Sequence, residues 1–380
     1  MTDYITYVGI DAHKAEHKVY ILYPEPLKPD SVIVKNHEKE IKRFVKRLIK
    51  KVPGDIRMCY EAGPCGFELQ RQLDALGIDC EVIAPSCTPQ KPGERVKTDR
   101  RDAKKLAEYY RAGMLTSIKP PTRVEEAVRD LCRCREAAKC TQKRAQHQLQ
   151  KFLLRHGRNY VEGELWTQKY FNWIRTLQWN NPIERRVFED YLIEVERCLD
   201  RVKALEEEIE KWSQQEPYCE PVGWLRCFRG IDTITAMTVV VELYDFSRFK
   251  SPGELMSFLG LTPSENSSGE NKKKGGITKT GNSHVRRLLV ESAWHHRLQV
   301  RTSIALRKRR KGQPPWVIAL ADKAMRRLHK RYIKLRQMGK AKQVVTTAIA
   351  RELVGFLWAV LTQQKVNNVT PSAPSRENAF

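Results

Sequence analysis

Four carboxylates, Asp11, Glu61, Asp99 and Asp102, are the side chains of this sequence best suited to act as a set. Asp11 closes a β-branched and aromatic run from Tyr4 to Ile10, and Glu61 closes a second one, Ile56 to Tyr60. Asp99 and Asp102 stand three apart in the first turn of a helical pattern, so both face one way. Like charges gathered that closely are unfavourable unless cations neutralise them. Oxygen-only donors suit Mg²⁺ or Mn²⁺. Two such ions can clamp the attacking and leaving oxygens of a phosphodiester. Taken singly, each acid also reads as a solvated charge, and Asp99 as an ordinary helix N-terminal acid.

A second candidate lies at Ser267 and Ser268, ahead of Lys272, Lys273, Lys274 and Lys279. A serine hydroxyl is a weak nucleophile and needs a base, a metal or dense positive charge beside it. Gly, Ser, Asn and Lys in such density equally describe a flexible loop. His284, Arg286 and Arg287 follow on a helical pattern; the arginines read as phosphate contacts, the histidine as structural. The run Arg307, Lys308, Arg309, Arg310 and Lys311 reads as backbone-contacting or as a solvated charge run.

The elements that must position these groups change along the chain. Three strand patterns come first (Tyr4 to Ile10, Lys18 to Tyr23, Ser31 to Val34), followed by an amphipathic helix from His37 to Lys51. A strand from Ile56 to Tyr60, a helix from Phe67 to Leu76, a strand from Ile78 to Ile83 and a helix from Thr98 to Ala112 complete the series. That order is the one of an RNase H-like (RuvC-like) α/β domain, in which the first and fourth strands are neighbours. Residues 1–118 are expected to form it. Residues 119–218 read as long helices broken near Gly157 and Pro182. In the second, Phe188, Tyr191, Val195, Cys198, Val202, Leu205, Ile209 and Trp212 recur every three or four residues, which predicts a coiled-coil seam within or between chains. Residues 219–366 read as a mainly helical, basic domain, and 367–380 as a disordered tail.

Composition narrows the partner. The 380 residues carry a formal charge of +24, a surplus that points to a polyanion, nucleic acid ahead of an anionic membrane. Between Asn271 and Lys340, 21 Lys or Arg stand against two acids, Glu291 and Asp322. No secretory signal and no membrane-spanning apolar run are evident, so a cytoplasmic protein with reduced thiols is expected, without a membrane partner. Cys132, Cys134 and Cys140 lack partners at zinc spacing and read as buried helix thiols.

Around the acids the sequence becomes specific. Gly9-Ile10-Asp11-Ala12-His13-Lys14, Glu61-Ala62-Gly63 and Lys97-Thr98-Asp99-Arg100-Arg101-Asp102-Ala103 resemble the DEDD transposases of insertion sequences, the family numbered one hundred and ten, to which the Piv-type DNA invertases are related. Phe228 to Ala236 looks like that family's helix-hairpin-helix, with Asp232 where a second glycine is usual. Leu259 to Gly269, Gly275 to Lys279 and Gly281-Asn282 resemble its C-terminal signature. The resemblance implies a transposase or site-specific recombinase with metal on Asp11, Glu61, Asp99 and Asp102. It implies Ser268 as nucleophile, Ser267 in reserve, donor and target DNA, a guide non-coding RNA, and a dimer or tetramer pairing the acid site of one subunit with the serine of another. Two rivals remain at this level. One is a RuvC-like Holliday-junction resolvase or nuclease using metal-activated water alone; the other is a non-enzymatic nucleic-acid-binding scaffold.

Overall fold

The computed structural model describes residues 4–52, 54–85, 88, 89, 99–268 and 271–367, with backbone alone at 266–268, 271–274 and 363–367. The expected N-cap Thr98 and the tail beyond 367 lie outside them. The chain divides into two compact units, 1–121 and 122–380.

The first unit is a mixed sheet with helices packed on it. Its strands are β1 (Ile5–Ala12), β2 (Glu16–Leu22), β3 (Asp30–Lys35), β4 (Asp55–Glu61), β5 (Asp79–Ile83) and β6 (Ser117–Ile118), in the spatial order β3-β2-β1-β4-β5-β6. The first three pair antiparallel, β1, β4 and β5 run parallel, and β6 adds an antiparallel edge. The expected adjacency of the first and fourth strands is present, with Ile10 opposite Tyr60. The sequence reading did not anticipate β6, which has only two residues. Helix α1 (Glu38–Lys51) buries Ile41, Phe44, Val45 and Leu48 of the face its spacing predicts, whereas Ile49, expected on the same face, is exposed. Helix α2 is Glu68–Asp74. Helix α3 (Asp99–Arg111) buries Ala103, Leu106, Ala107 and Tyr109.

The second unit opens with α4 (Arg123–Arg155), about 50 Å long. A capping box starts it, Thr122 and Glu125 satisfying each other's backbone N–H. After the short α5 (Gln168–Arg175), α6 (Pro182–Trp212) returns along α4, with Arg135 meeting Glu206 and His156 facing Glu184. The seam of α6 buries Phe188, Val195, Cys198, Val202 and Ile209, and it packs on α4 of the same chain. On α4, Cys132 is buried but Cys134 and Cys140 are exposed, which corrects the reading of all three as buried. The nine cysteines of the described residues are free.

The remainder folds around one core. It contains α7 (Cys219–Leu225), α8 (Thr233–Leu243), α9 (Pro252–Phe258), a hairpin of β7 (Pro263–Ser268) and β8 (Asn271–Ile277), α10 (Ser283–Ala293), α11 (Ile304–Arg310), α12 (Pro315–Gln337) and α13 (Lys342–Asn367). The hairpin stands where the composition also allowed a flexible loop. Residues 342–362 of α13 are long and apolar enough to cross a bilayer, contrary to the expectation that no such run exists. Val345, Ile349, Leu353, Val354 and Leu357 of this helix lie in the core of the unit, which accounts for its composition.

Candidate active site

Gly9 determines how the acids meet. A β-carbon there would lie 2.2 Å from the Ala103 carbonyl oxygen and 2.4 Å from the Ala107 nitrogen, so α3 rests directly on the backbone of β1. The first turn of α3 is thereby held over the C-terminal end of β1. One ring nitrogen of His13, Nε2, lies 3.1 Å from Asp11 Oδ2 and 3.5 Å from Asp99 Oδ2. The three prospective ligand atoms all lie within 4.8 Å of one another. Burial raises the pKa of Asp11 above its ordinary value; contact with His13 opposes the shift, and the charges of Asp99 and Asp102 add to it. The carboxylates are close enough to repel, the condition a divalent cation relieves. Two carboxylate oxygens and an imidazole nitrogen fit Mn²⁺ well and Mg²⁺ acceptably.

The other two acids lie outside this group of three. Glu61 ends β4, next to β1, and its Oε1 accepts a 2.8 Å hydrogen bond from the Thr88 hydroxyl. The turn after it is tied down by Ala62 N–H donating to Ile83 and by the Tyr60 hydroxyl donating to the Gly66 carbonyl. Asp102 is half-buried on α3 and is felt electrostatically by Asp11. His13 and Thr88 were not singled out from the sequence. A histidine two residues beyond Asp11 was a visible signal for the first; nothing local marked Thr88.

In the second unit Ser267 and Ser268 occupy the end of β7, opposite Lys272 and Asn271. Their side chains, and those of Lys272, Lys273 and Lys274, lie outside the described residues. The base of the hairpin is rigidly tied. Gly281 is left-handed, and a β-carbon there would sit 1.9 Å from the Phe258 carbonyl oxygen. Asn282 caps α10 through Oδ1 and donates from Nδ2 to Glu242 at 2.7 Å. Glu242, buried, also takes two hydrogen bonds from Arg133, at 2.7 and 2.9 Å. Burial alone would raise the Glu242 pKa, but Arg133 and Asn282 together hold it below its ordinary value. Beside this network the His284 ring meets Glu136 at 2.6 Å.

The basic candidates divide by what they already hold. Arg286 donates to the Leu259 and Thr280 carbonyls, and Arg287 pairs with Glu136 and Glu291. Lys279, left-handed at φ 56°, is exposed and lines an open cavity with Ser283, His284 and both arginines. Arg310 is a correction: it is buried, bonded to Asp322 and to the Cys227 carbonyl, and is not presented to a partner. Arg307, Lys308 and Lys311 are exposed, Arg309 half-buried. In the turn before α8, Asp232 accepts from Thr235 N–H, so its own carboxylate occupies the helix N-terminus where a phosphate would dock.

Comparison with known proteins places the chain among transposases. Residues 8–157 match the DEDD transposase family model of IS110 elements, and residues 224–308 match the model described as transposase, IS116/IS110/IS902 family. The protein y4qE of Sinorhizobium fredii, which carries a transposase name, is 41% identical over 325 residues, 86% of this chain and 80% of its own. The transposase for insertion sequence element IS1533 of Leptospira borgpetersenii is 36% identical over 343 residues, 88% of this chain and 97% of its own. The transposase for insertion sequence element IS1111A of Coxiella burnetii is 23% identical over 301 residues, 78% and 74% respectively.

Proposed function

The chain belongs to the IS116/IS110/IS902 family of transposases and is an enzyme acting on DNA; from that premise we propose that it cuts and rejoins DNA strands with a DEDD acid group and a serine nucleophile. The convergence of Asp11 and Asp99 on His13 carries this reading, because it sets three prospective ligand atoms within 4.8 Å of one another.

Asp11, Asp99, Asp102 and Glu61, with His13, would hold Mg²⁺ or Mn²⁺, which supplies positive charge to the scissile phosphate. Thr88 orients the Glu61 carboxylate and α3 sets the spacing of its two aspartates. Ser268 is the nucleophile, with Ser267 in reserve. Its Oγ bonds to phosphorus, the bond from phosphorus to a sugar oxygen breaks, and the proton released by the hydroxyl ends on that oxygen. Attack by the hydroxyl of a second strand on the phosphoserine reverses these changes and restores the serine. Lys272, Lys273, Lys274, Lys279, Arg307, Lys308, Arg309 and Lys311 supply charge for the DNA backbone. Arg286 and Arg287 act less directly, by holding the hairpin base and the Glu136 carboxylate.

The acid-bearing unit takes an RNase H-like fold and α4 with α6 a coiled coil. A homo-oligomer working in the bacterial cytoplasm at the nucleoid, on donor and target DNA and guided by a non-coding RNA, completes the proposal. Phosphate charge favours RNA and DNA alike, so the basic unit suits both.

Trapping a covalent protein–DNA adduct tests the reading. The full chain, with any bound RNA retained and Mg²⁺ added, is incubated with labelled junction DNA and resolved under denaturing conditions. An adduct lost in Ser268→Ala and in Asp11→Ala is expected. Loss only in Ser267→Ala moves the nucleophile by one residue. Metal-dependent cleavage with no adduct, indifferent to both serines, leaves a water-using nuclease.

A further inference from the structure

A strongly basic face of the second unit falls within the basic stretch from Asn271 to Lys340 but holds none of the contact residues named above. From Lys323 to Lys340 there are eight Lys or Arg and no acid. Helix α12 buries Ala321, Ala324, Met325, Leu328 and Tyr332. The opposite side exposes Lys323, Arg326, Arg327, Lys330, Arg331 and Lys334. Arg327, Lys330, Arg331 and Lys334 follow an i, i+3, i+4, i+7 spacing and so form one row about 10 Å long. With Glu352 of α13 they line an open groove of about 380 Å³.

Glu352 is the one acid among these lining residues. It accepts a hydrogen bond from Arg327 Nε and forms an ion pair with Arg331 Nε, each at 3.2 Å, which draws both guanidinium groups toward the groove wall. Among the described residues those are the ion pairs of the groove, so the ammonium groups of Lys330 and Lys334 keep their charge for a partner. The lining offers no aromatic or aliphatic anchor of the kind that carries a protein–protein contact. The groove's apolar surface belongs to the stems of the basic side chains, and its lining has no large apolar residue to sink into a lipid surface. A row of cations set one helical turn apart matches a chain of regularly spaced phosphates.

We propose that this groove is a nucleic-acid site distinct from the serine hairpin, binding the phosphodiester backbone of a strand along α12, with Glu352 as the counter-charge that limits its affinity. The inference rests on the reading of the chain as a nucleic-acid-handling enzyme. DNA and RNA share the chemistry the groove recognises, and the experiment separates them.

The full-length chain is titrated, across a range of salt, against labelled duplex DNA of arbitrary sequence and against single-stranded RNA. For Lys330→Gln with Lys334→Gln, the slope of log Kd on log salt is expected to fall by about two for the duplex, or somewhat less for the single strand. Affinity at about 0.1 M salt should fall about tenfold or more. Arginine at both positions should restore the slope, and an unchanged melting temperature confirms the fold. Glu352→Gln should act in the opposite sense, tightening binding and steepening the slope as two guanidinium groups are released. A change in one arm alone assigns the groove to that nucleic acid. Wild-type binding with unchanged slopes in all variants overturns the groove while leaving the transposase reading intact. A wild-type chain that binds neither probe overturns both.

Discussion

Gly9 of β1 and Ala103 of α3 approach so closely that a single methyl group cannot be fitted between them, with 2.2 Å from the would-be β-carbon to the Ala103 carbonyl oxygen. Backbone rather than flexible side chain forms the other side of this contact, so it cannot yield locally. Everything the first turn of α3 contributes to the acid group depends on it.

Gly9→Ala should therefore push α3 away from β1 and cost about 1–3 kcal/mol of stability, the usual penalty of overpacking. Strand cleavage should fall much further than stability, because Asp99 and Asp102 move with the helix. Thermal melting beside a cleavage assay checks this; a variant with wild-type activity would show that α3 does not set the site.

Cation binding should follow the observed group rather than the four acids equally. Asp11→Asn and Asp99→Asn are expected to abolish Mn²⁺ binding followed by calorimetry, and Glu61→Gln to weaken it. His13→Gln should weaken Mn²⁺ by about tenfold or more, since losing a ligand costs at least as much as losing a group that orients one. Mg²⁺, less suited to nitrogen, should respond less to the same change. Equal loss of both ions would place His13 outside the coordination sphere.

Most of the first unit was legible because its strands end on chemistry and its helices show a clean apolar period: α1 buries the stripe from Ile41 to Leu48. What the sequence hid depended on distance along the chain. Thr88 meets Glu61 across a separation of 27 residues, and Arg133 meets Glu242 across 109, with nothing local to mark either pair. Arg310 was misread for a related reason. A run of five basic residues reads as one surface, whereas a helix turns its members through all directions, and Arg310 faces inward. The basic residues of α12 were counted in the stretch from Asn271 to Lys340, but their alignment in one row shows only once the helix is built, because they are spread at helical spacing instead of being adjacent.

Glu242 joins Arg133 of α4 to Asn282 at the start of α10, so it should matter to the whole second unit. Glu242→Leu leaves Arg133 unpaired and removes an Asn282 acceptor. Arg133 is partly exposed, which discounts the cost of a broken buried pair to about 2–4 kcal/mol. Because the folded pKa of Glu242 is depressed, its stabilisation is full above the ordinary carboxylate value and is lost as pH falls through the folded one. Denaturant melts at neutral and acid pH should show the gap between wild type and variant closing on acidification. A gap that is constant with pH would mean that packing, not charge, makes the contribution.

His296 should give the second unit a separate acid sensitivity in a higher pH range. The ring is buried, neither nitrogen has a hydrogen-bond partner, and burial pushes its pKa down to about 3, with Arg229, His295 and His329 adding to the shift. Below the ordinary histidine value of about 6.5, the unfolded chain takes a proton that the folded chain refuses. Stability is thus complete above that value and declines as pH falls toward the folded one, by at most about 1.4 kcal/mol per pH unit. Other groups titrate over the same range, so the informative quantity is the difference between wild type and His296→Leu. Between about pH 6.5 and pH 5 the wild type should lose up to about 2 kcal/mol more than the variant. Parallel losses in the two proteins would show that His296 accepts its proton without unfolding the unit, and that the ring is less enclosed than its surroundings imply.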